Sequence, residues 1–319
     1  MPELWELQQM RSLPLSAKVR MSENRIREWI NEFGSDGVYV SFSGGKDSTV
    51  LLHIVRSVDP DIPAMFVDTG LEYPEIRQHV HRLREEWGNI EIVRPEMRFD
   101  EVVKIYGYPC PTKLIAETVE GAKRNPNASR MLRLRGEYGG RRDGKPSKYD
   151  CPQWAYLLDA PFDVSAKCCD VMKKKPLKKY QKETGRNPFI GTMATESSSR
   201  HAAWIKNGCN AFNSPTPTSR PLSFWKESDI LQYIVENDLS YASVYGEIVK
   251  DGDGEYRTTG VDRTGCMFCL FGCHLEKAPN RFQRMKETHP RQYDYCMRPR
   301  EEKGLGLREV LEYIGVEYE

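Results

Sequence analysis

The sequence predicts an α/β fold, a parallel Rossmann-like sheet with helices on both faces, followed by a cysteine-rich helical and loop region at the C-terminal side. Two observations carry this expectation. Short β-branched and aromatic runs at Val38–Phe42, Pro63–Val67 and Ile90–Val93 alternate with segments of helical periodicity. Such alternation implies right-handed crossovers and a parallel sheet, which binds nucleotides at the carboxyl ends of its strands. Two motifs are placed by that rule at strand ends: Ser43-Gly44-Gly45-Lys46-Asp47-Ser48 after the first strand and Asp68-Thr69-Gly70 after the second.

Element by element, Glu23–Phe33 reads as an amphipathic helix leading into the first strand, and the leucine-rich run after Ser48 reads as the next helix. A helix is expected from Pro74 to about Glu86. From about Tyr106 to Ala166 the periodicity dissolves among prolines and glycines, so this stretch reads as a long irregular insertion. Order returns with a helix from about Asp170, a strand at Pro188–Gly191, and helices at about Ser198–Ile205 and Lys226–Val235. A Cys-rich loop and short helices close the chain. The expected organisation is a helical segment at 1–35, a nucleotide-binding domain at 36–240 with a basic insertion at about 107–166, and a Cys-rich region at 241–319.

At 319 residues the chain has ample capacity for a core. Its 47 basic and 46 acidic residues nearly cancel, so the average charge says nothing about a polyanionic partner. No apolar run approaches membrane-spanning length, and the first eighteen residues interleave charges where a signal peptide would be apolar, so a cytoplasmic protein with no membrane partner is expected. Nine cysteines in a reducing compartment point to metal or redox chemistry before disulfides.

The segment Ser43–Ser48 is built for an anion. A strand, a tight loop and a helix N-terminus direct backbone N–H groups and the positive end of the helix dipole to one place. Gly44 and Gly45 permit positive φ and close approach, Lys46 adds a cation, and Ser43 and Ser48 add hydroxyls. The frame is not a Walker A motif. The alternative is a glycine-rich turn without a ligand.

Cys168-Cys169 and Cys266-Met267-Phe268-Cys269 supply four thiols. Adjacent cysteines disfavour tetrahedral zinc, whose paired ligands stand two or more residues apart, whereas a four-iron cube accepts neighbouring thiolates on different irons. A [4Fe-4S] cluster is therefore the expected group, against the alternative of buried inert thiols. Cys273 is a substitute ligand or a thiol near the cluster, and Cys110, Cys151, Cys209 and Cys296 have no local partner.

The Ser43–Ser48 loop resembles the pyrophosphate-binding PP-loop of the ATP-pyrophosphatase (adenine nucleotide α-hydrolase) superfamily, which has the HUP-type fold. The block from Lys167-Cys168-Cys169 to Pro176-Leu177 resembles the double-cysteine motif of assimilatory sulfonucleotide reductases. Gly191–Arg200, Pro221–Ile230, Cys266–Cys269 and Asp68-Thr69-Gly70 with Pro74-Glu75 resemble further landmarks of that group. The similarity, from about residue 36 to 275, is to the phosphoadenosine phosphosulfate reductase family in the broad sense. Two departures matter: the loop is intact as in true ATP pyrophosphatases, and no cysteine follows Cys296, so the reductases' tail nucleophile has no obvious counterpart unless Cys296 or Cys273 serves.

The resemblance implies ATP and Mg²⁺ held by Ser43, Gly44, Gly45, Lys46, Asp47 and Ser48, with Lys46 and Asp47 catalytic. Asp68, Thr69 and Gly70 would complete the nucleotide site, Asp68 binding metal or ribose. Arg200 and the run Lys173-Lys174-Lys175 are candidates for phosphate contacts, the run being alternatively a solvated helix face. The basic stretch 123–148 would contact a nucleic acid, DNA or tRNA, or is a surface loop without a partner. A sulfur donor such as a cysteine desulfurase and a homodimeric assembly are further expectations. The function expected is ATP-dependent, pyrophosphate-releasing sulfur transfer. A sulfonucleotide reductase and a cluster-bearing ATP-binding regulator without turnover are the alternatives.

Overall fold

The computed structural model describes residues 3–127, 129–139 and 147–319. Its sheet contains β1 (Val38–Phe42), β2 (Ala64–Val67), β3 (Ile90–Val93), β4 (Asn187–Ile190), β5 (Asn210–Ala211) and β6 (Thr218–Ser219), in the order β3-β2-β1-β4-β6-β5. All pairings are parallel except β5 with β6. The chain leaves β1 toward β2 on one side and returns as β4 on the other. That reversal makes the end of β1 the switch point at which open parallel sheets form a crevice. A separate hairpin pairs β7 (Ile248–Lys250) with β8 (Tyr256–Thr258).

The chain divides into two compact units. The first comprises 1–68, 72–94 and 176–265; the second comprises 69–71, 95–175 and 266–319. This differs from the expected boundaries: 241–265 belongs with the sheet, and the presumed insertion belongs with the C-terminal segment. The N-terminal segment is not separate either, because its helix is integral to the sheet's core. That helix spans Leu15–Phe33, longer than expected, and buries Ile26 and Trp29 completely. Trp29 packs edge-on to Phe33 with ring centroids 4.6 Å apart, and lies 6.4 Å from Phe189 of β4. The same helix carries Lys18, whose ammonium meets Asp229 at 2.6 Å in the interior. Ser22 accepts from the Trp225 indole N–H at 2.9 Å and donates to the Pro221 carbonyl at 2.9 Å.

The second unit corrects the expectation of an irregular insertion. Helices Phe99–Tyr106, Lys113–Arg124 and Ser129–Arg135 occupy the stretch, followed by a 3-10 segment at Pro152–Asp159. Ile115, Ala116, Val119 and Ala122 form one buried stripe of Lys113–Arg124, capped by the Thr112 hydroxyl, which accepts from the Ile115 N–H at 3.2 Å. Lys167–Cys169 is a short helical turn followed by a π-helical turn at Asp170–Lys174. Helices Arg281–Thr288, Pro290–Met297 and Leu307–Tyr313 complete the unit. Among the described residues no helix is long and apolar enough to cross a membrane.

Candidate functional site

The strand-end loop folds as its sequence requires. β1 stops at Phe42, and Gly44 takes φ +74°, a conformation that costs L residues energy. A Cβ there would stand 2.6 Å from Val80 Cγ2 and 2.8 Å from Ile76 Cγ2, so glycine alone lets the helix Pro74–Trp87 pack against the turn. Gly45 then caps the helix Lys46–Val58. Ser48 serves the loop itself: its hydroxyl accepts from the Ser43 N–H at 3.2 Å and donates to the Gly45 carbonyl at 2.9 Å.

Lys46 is 4% exposed. Its ammonium donates to the Asp262 carbonyl at 2.7 Å, pairs with Glu227 at 3.0 Å, and lies 4.9 Å from the centre of the Tyr245 ring. Burial opposes its charge, but Asp47, Tyr245 and Glu227 outweigh that and raise its pKa. Asp47 is shifted upward by burial, with Glu196 and Glu227 adding to the shift and Lys46 opposing it. Its Oδ1 is buried with no hydrogen-bond partner. An orphaned carboxylate oxygen beside an anion cradle suits a cation. Mg²⁺ characteristically takes one or two carboxylates and completes its shell with phosphate oxygens and water. Among the described residues no set of three or more His, Cys, Asp or Glu side chains could hold a metal ion unaided.

His79 supports the loop from below, its Nε2 lying 3.3 Å from Thr49 Oγ1. Burial first, and then Arg82, lower its pKa from 6.5 to about 4. The imidazole is thus neutral in the fold while the unfolded chain takes up its proton near 6.5. Stability from this site is complete above that pH and drains away as pH falls toward 4, by an amount on the order of 3 kcal/mol. Melting temperature should therefore drop over that window in the native protein, with a shallower drop in His79→Leu; parallel curves would refute the assignment.

The other expected nucleotide contacts are engaged elsewhere. Asp68, expected to bind metal or ribose, is buried at the end of β2 and accepts from Arg77 Nη2 at 3.3 Å and from Arg94 Nε at 3.2 Å. Thr69 and Gly70 belong to the second unit, where the Thr69 hydroxyl accepts from the Leu71 N–H at 3.2 Å. Arg200 is ion-paired to Glu196, which Arg263 also approaches at 3.8 Å. Sequence reasoning missed Glu196, Glu227, Tyr245 and Thr264 as neighbours of the loop. None carries a local signal, since Tyr245 meets Lys46 from 199 positions away.

In the second unit the four thiols lie within electrostatic range of one another, although among the described residues no three such side chains are placed to hold a metal ion by themselves. Cys168 and Cys169 place their sulfurs 3.8 Å apart, and Cys168 senses Cys169, Cys269 and Cys266 electrostatically. Cys169 is favoured as thiolate by the Cys168 S–H it accepts and by Lys173 and Lys113. Arg281 donates to the Cys269 carbonyl at 2.8 Å and adds positive charge there. Sulfurs from adjacent residues, with cations beside Cys169 and Cys269, suit a thiolate-held cluster better than a single tetrahedral ion, although the Cys169 contact and burial raise the pKa of the Cys168 thiol and burial raises that of Cys269. Lys173 thus faces the cysteines, and Lys174 pairs with Asp170 at 2.7 Å. Cys110 is not isolated: it senses Cys273, and the Gly272 N–H donates to the Pro111 carbonyl at 2.8 Å. Cys273 and Cys296 are 1% and 0% exposed, so neither can stand in for a mobile nucleophile as they lie.

Of the basic stretch 123–148, Arg141, Arg142 and Lys145 lie outside the described residues. Arg124 pairs with Glu120 at 2.6 Å, and the Arg133 guanidinium stacks on Tyr138 and Tyr149 at 4.4 and 5.2 Å.

The profile of the phosphoadenosine phosphosulfate reductase domain matches residues 37–123 and 141–270. An uncharacterized protein of Methanocaldococcus jannaschii is 24% identical over 79% of the chain and 45% of its own length. An adenosine 5'-phosphosulfate reductase of Geobacillus kaustophilus is 24% identical over 74% of the chain and 79% of its own length. The chain spans less than half the length of two archaeal relatives it matches, 45% of one and 36% of the other. Among solved structures, a phosphoadenylyl-sulfate reductase from Candida auris in a phosphate complex aligns at TM-score 0.42 and 14% identity, covering 80% of this chain and 98% of that one.

Proposed function

Because the chain belongs to the phosphoadenosine phosphosulfate reductase domain family, part of the PP-loop superfamily, we propose that it is an ATP-dependent sulfurtransferase that releases pyrophosphate, carries an iron–sulfur cluster, and inserts sulfur into a nucleic acid or related acceptor. The observation that carries this reading is the Asp47 Oδ1 orphaned in the interior, next to the buried Lys46 and an unbroken Gly-Gly turn. A sulfonucleotide-binding site without pyrophosphate cleavage has no evident use for that buried pair.

In this reading the loop amides and Lys46 receive the β- and γ-phosphates, and Asp47 would hold Mg²⁺, which would help neutralise the charge of the leaving pyrophosphate. An acceptor oxygen attacks the α-phosphorus, the α–β anhydride bond breaks, and pyrophosphate departs with its charge matched by Lys46 and the helix N-terminus. Sulfide then replaces the adenylated oxygen, and AMP leaves with that oxygen. The cluster held by Cys168, Cys169, Cys266 and Cys269 would supply a binding place for the incoming sulfide. Lys113 and Lys173 favour the thiolate of Cys169, and Arg281 adds positive charge beside Cys269. The basic stretch 123–148 is the proposed nucleic-acid contact and a cysteine desulfurase the proposed sulfur source.

Anaerobic purification tests the reading: iron and labile sulfide should accompany the chain, and ATP with a tRNA or DNA acceptor should yield AMP and pyrophosphate. Asp47→Asn should lower pyrophosphate release by about 10²-fold or more while leaving iron content unchanged. Undiminished turnover in that variant would defeat the loop assignment, and stoichiometric zinc without iron would defeat the cluster. The similarity to the Geobacillus reductase favours one second reading, a sulfonucleotide reductase. Sulfite released from adenosine phosphosulfate or phosphoadenosine phosphosulfate with a thiol donor would select it.

A further inference from the structure

The anion cradle is occupied by the chain's own polar atoms. The Lys46 N–H, the first helical amide of the loop, meets the Tyr245 hydroxyl at 3.4 Å, and that hydroxyl lies 2.7 Å from Thr264 Oγ1. A Cβ at Gly45 would stand 3.1 Å from the Tyr245 oxygen and 3.5 Å from that of Thr264. The Lys46 ammonium donates to the carbonyl of Asp262. Two donors that a phosphate would use are thus answered by oxygens of 245 and 262, with Thr264 bracing the first.

The segment bearing these atoms has a buried base and an exposed end. Gly260 packs against the turn at 244–246, where a Cβ would come within 2.3 Å of the Val244 carbonyl, and its N–H donates to the Tyr245 carbonyl at 2.8 Å. Tyr245 is 2% exposed. By contrast Asp262, Arg263 and Gly265 are exposed, so the part holding Lys46 can be displaced without uncovering the core, where its root stays.

We propose that the Asp262 carbonyl and the Tyr245 hydroxyl, the latter braced by Thr264, form an autoinhibitory plug on the nucleotide loop, standing in for phosphate oxygens until a pyrophosphate group displaces 262–264 and frees the Tyr245 hydroxyl to turn away. The proposal rests on the pyrophosphate-cradle reading of the loop and adds to it an internal competitor. Occupancy of the loop by pyrophosphate forces 262–264 outward, and weakening the Thr264 brace favours binding.

The test is calorimetric titration of the full chain with magnesium pyrophosphate, alongside hydrogen exchange of the same samples. Thr264→Val, which keeps shape but loses the hydroxyl, should bind about fivefold more tightly, the weight of one neutral hydrogen bond. Thr264→Ser should retain the native affinity. Pyrophosphate should slow exchange in 43–48 and accelerate it in 261–265. Equal or weaker binding by Thr264→Val, or protection of 43–48 with 261–265 unmoved, overturns the plug while leaving the cradle intact. Absence of binding in both native protein and Thr264→Val overturns the cradle, and the plug with it.

Discussion

Replacing Lys18 with methionine is expected to cost the fold about 3–5 kcal/mol, because it strands a carboxylate in the interior. Lys18 and Asp229 meet at 2.6 Å with side chains 1% and 11% exposed, joining residues 211 positions apart. The pair's Coulomb gain is largely offset by the desolvation of both ions, so its net worth is small, yet losing one member leaves the other's desolvation unanswered. Asp229 has a second duty, accepting the Lys226 N–H at 2.6 Å to cap the helix Glu227–Glu236. A neutral amide can still serve that cap, so Lys18→Met with Asp229→Asn should recover most of the loss. Urea unfolding of the two single variants and the double variant measures this directly. A Lys18→Met protein within 1 kcal/mol of native would show that the aspartate is solvated or protonated at little cost.

Gly44→Ala should be nearly as damaging and should also abolish pyrophosphate binding. Two penalties add. An alanine at φ +74° costs about 1–2 kcal/mol, and forcing a methyl to 2.6 and 2.8 Å from the γ-methyls of Val80 and Ile76 adds an overpacking cost of about 1–3 kcal/mol. Because both neighbours are fully buried, neither has room to retreat. The strain is relieved most easily by moving the turn itself, which misdirects the amides that follow. Val80→Ala in the same chain should return part of the stability by making space but little of the binding, since the backbone penalty persists. Unfolding midpoint and pyrophosphate titration on the single and double variants separate the two effects. An unchanged midpoint in Gly44→Ala would contradict the packing described.

What could be read from the residues follows from how local each signal is. β1 and the loop behind it are written in adjacent positions, as are β2, β3 and the helix from Pro74, so their type and order are legible without tertiary knowledge. The helices Lys113–Arg124 and Ser129–Arg135 were hidden by flanking prolines and by clustered basic residues that mimic a surface loop, although the spacing of Ile115, Ala116, Val119 and Ala122 is helical. β5 and β6 are two residues each and owe their existence to pairing, not propensity. At the site, the loop and the paired cysteines are visible because each is a short motif. Glu196, Glu227, Tyr245 and Thr264 are not, because only folding brings them to Lys46 and Asp47. Asp68 is the converse case: its motif position is conspicuous, whereas its contacts with Arg77 and Arg94 are set by folding.

The interleaving of the two units along the chain bears on how the protein is made. Residues 176–265 must leave the ribosome before the first unit can close its sheet, and 266–319 before the second can close at all. Cys168 and Cys169 therefore wait for Cys266 and Cys269, the first of which is translated 97 residues after Cys169. Loading of a metal centre on all four thiols would consequently wait until Cys269 has been made, and no single cut in the polypeptide yields either unit as one intact fragment.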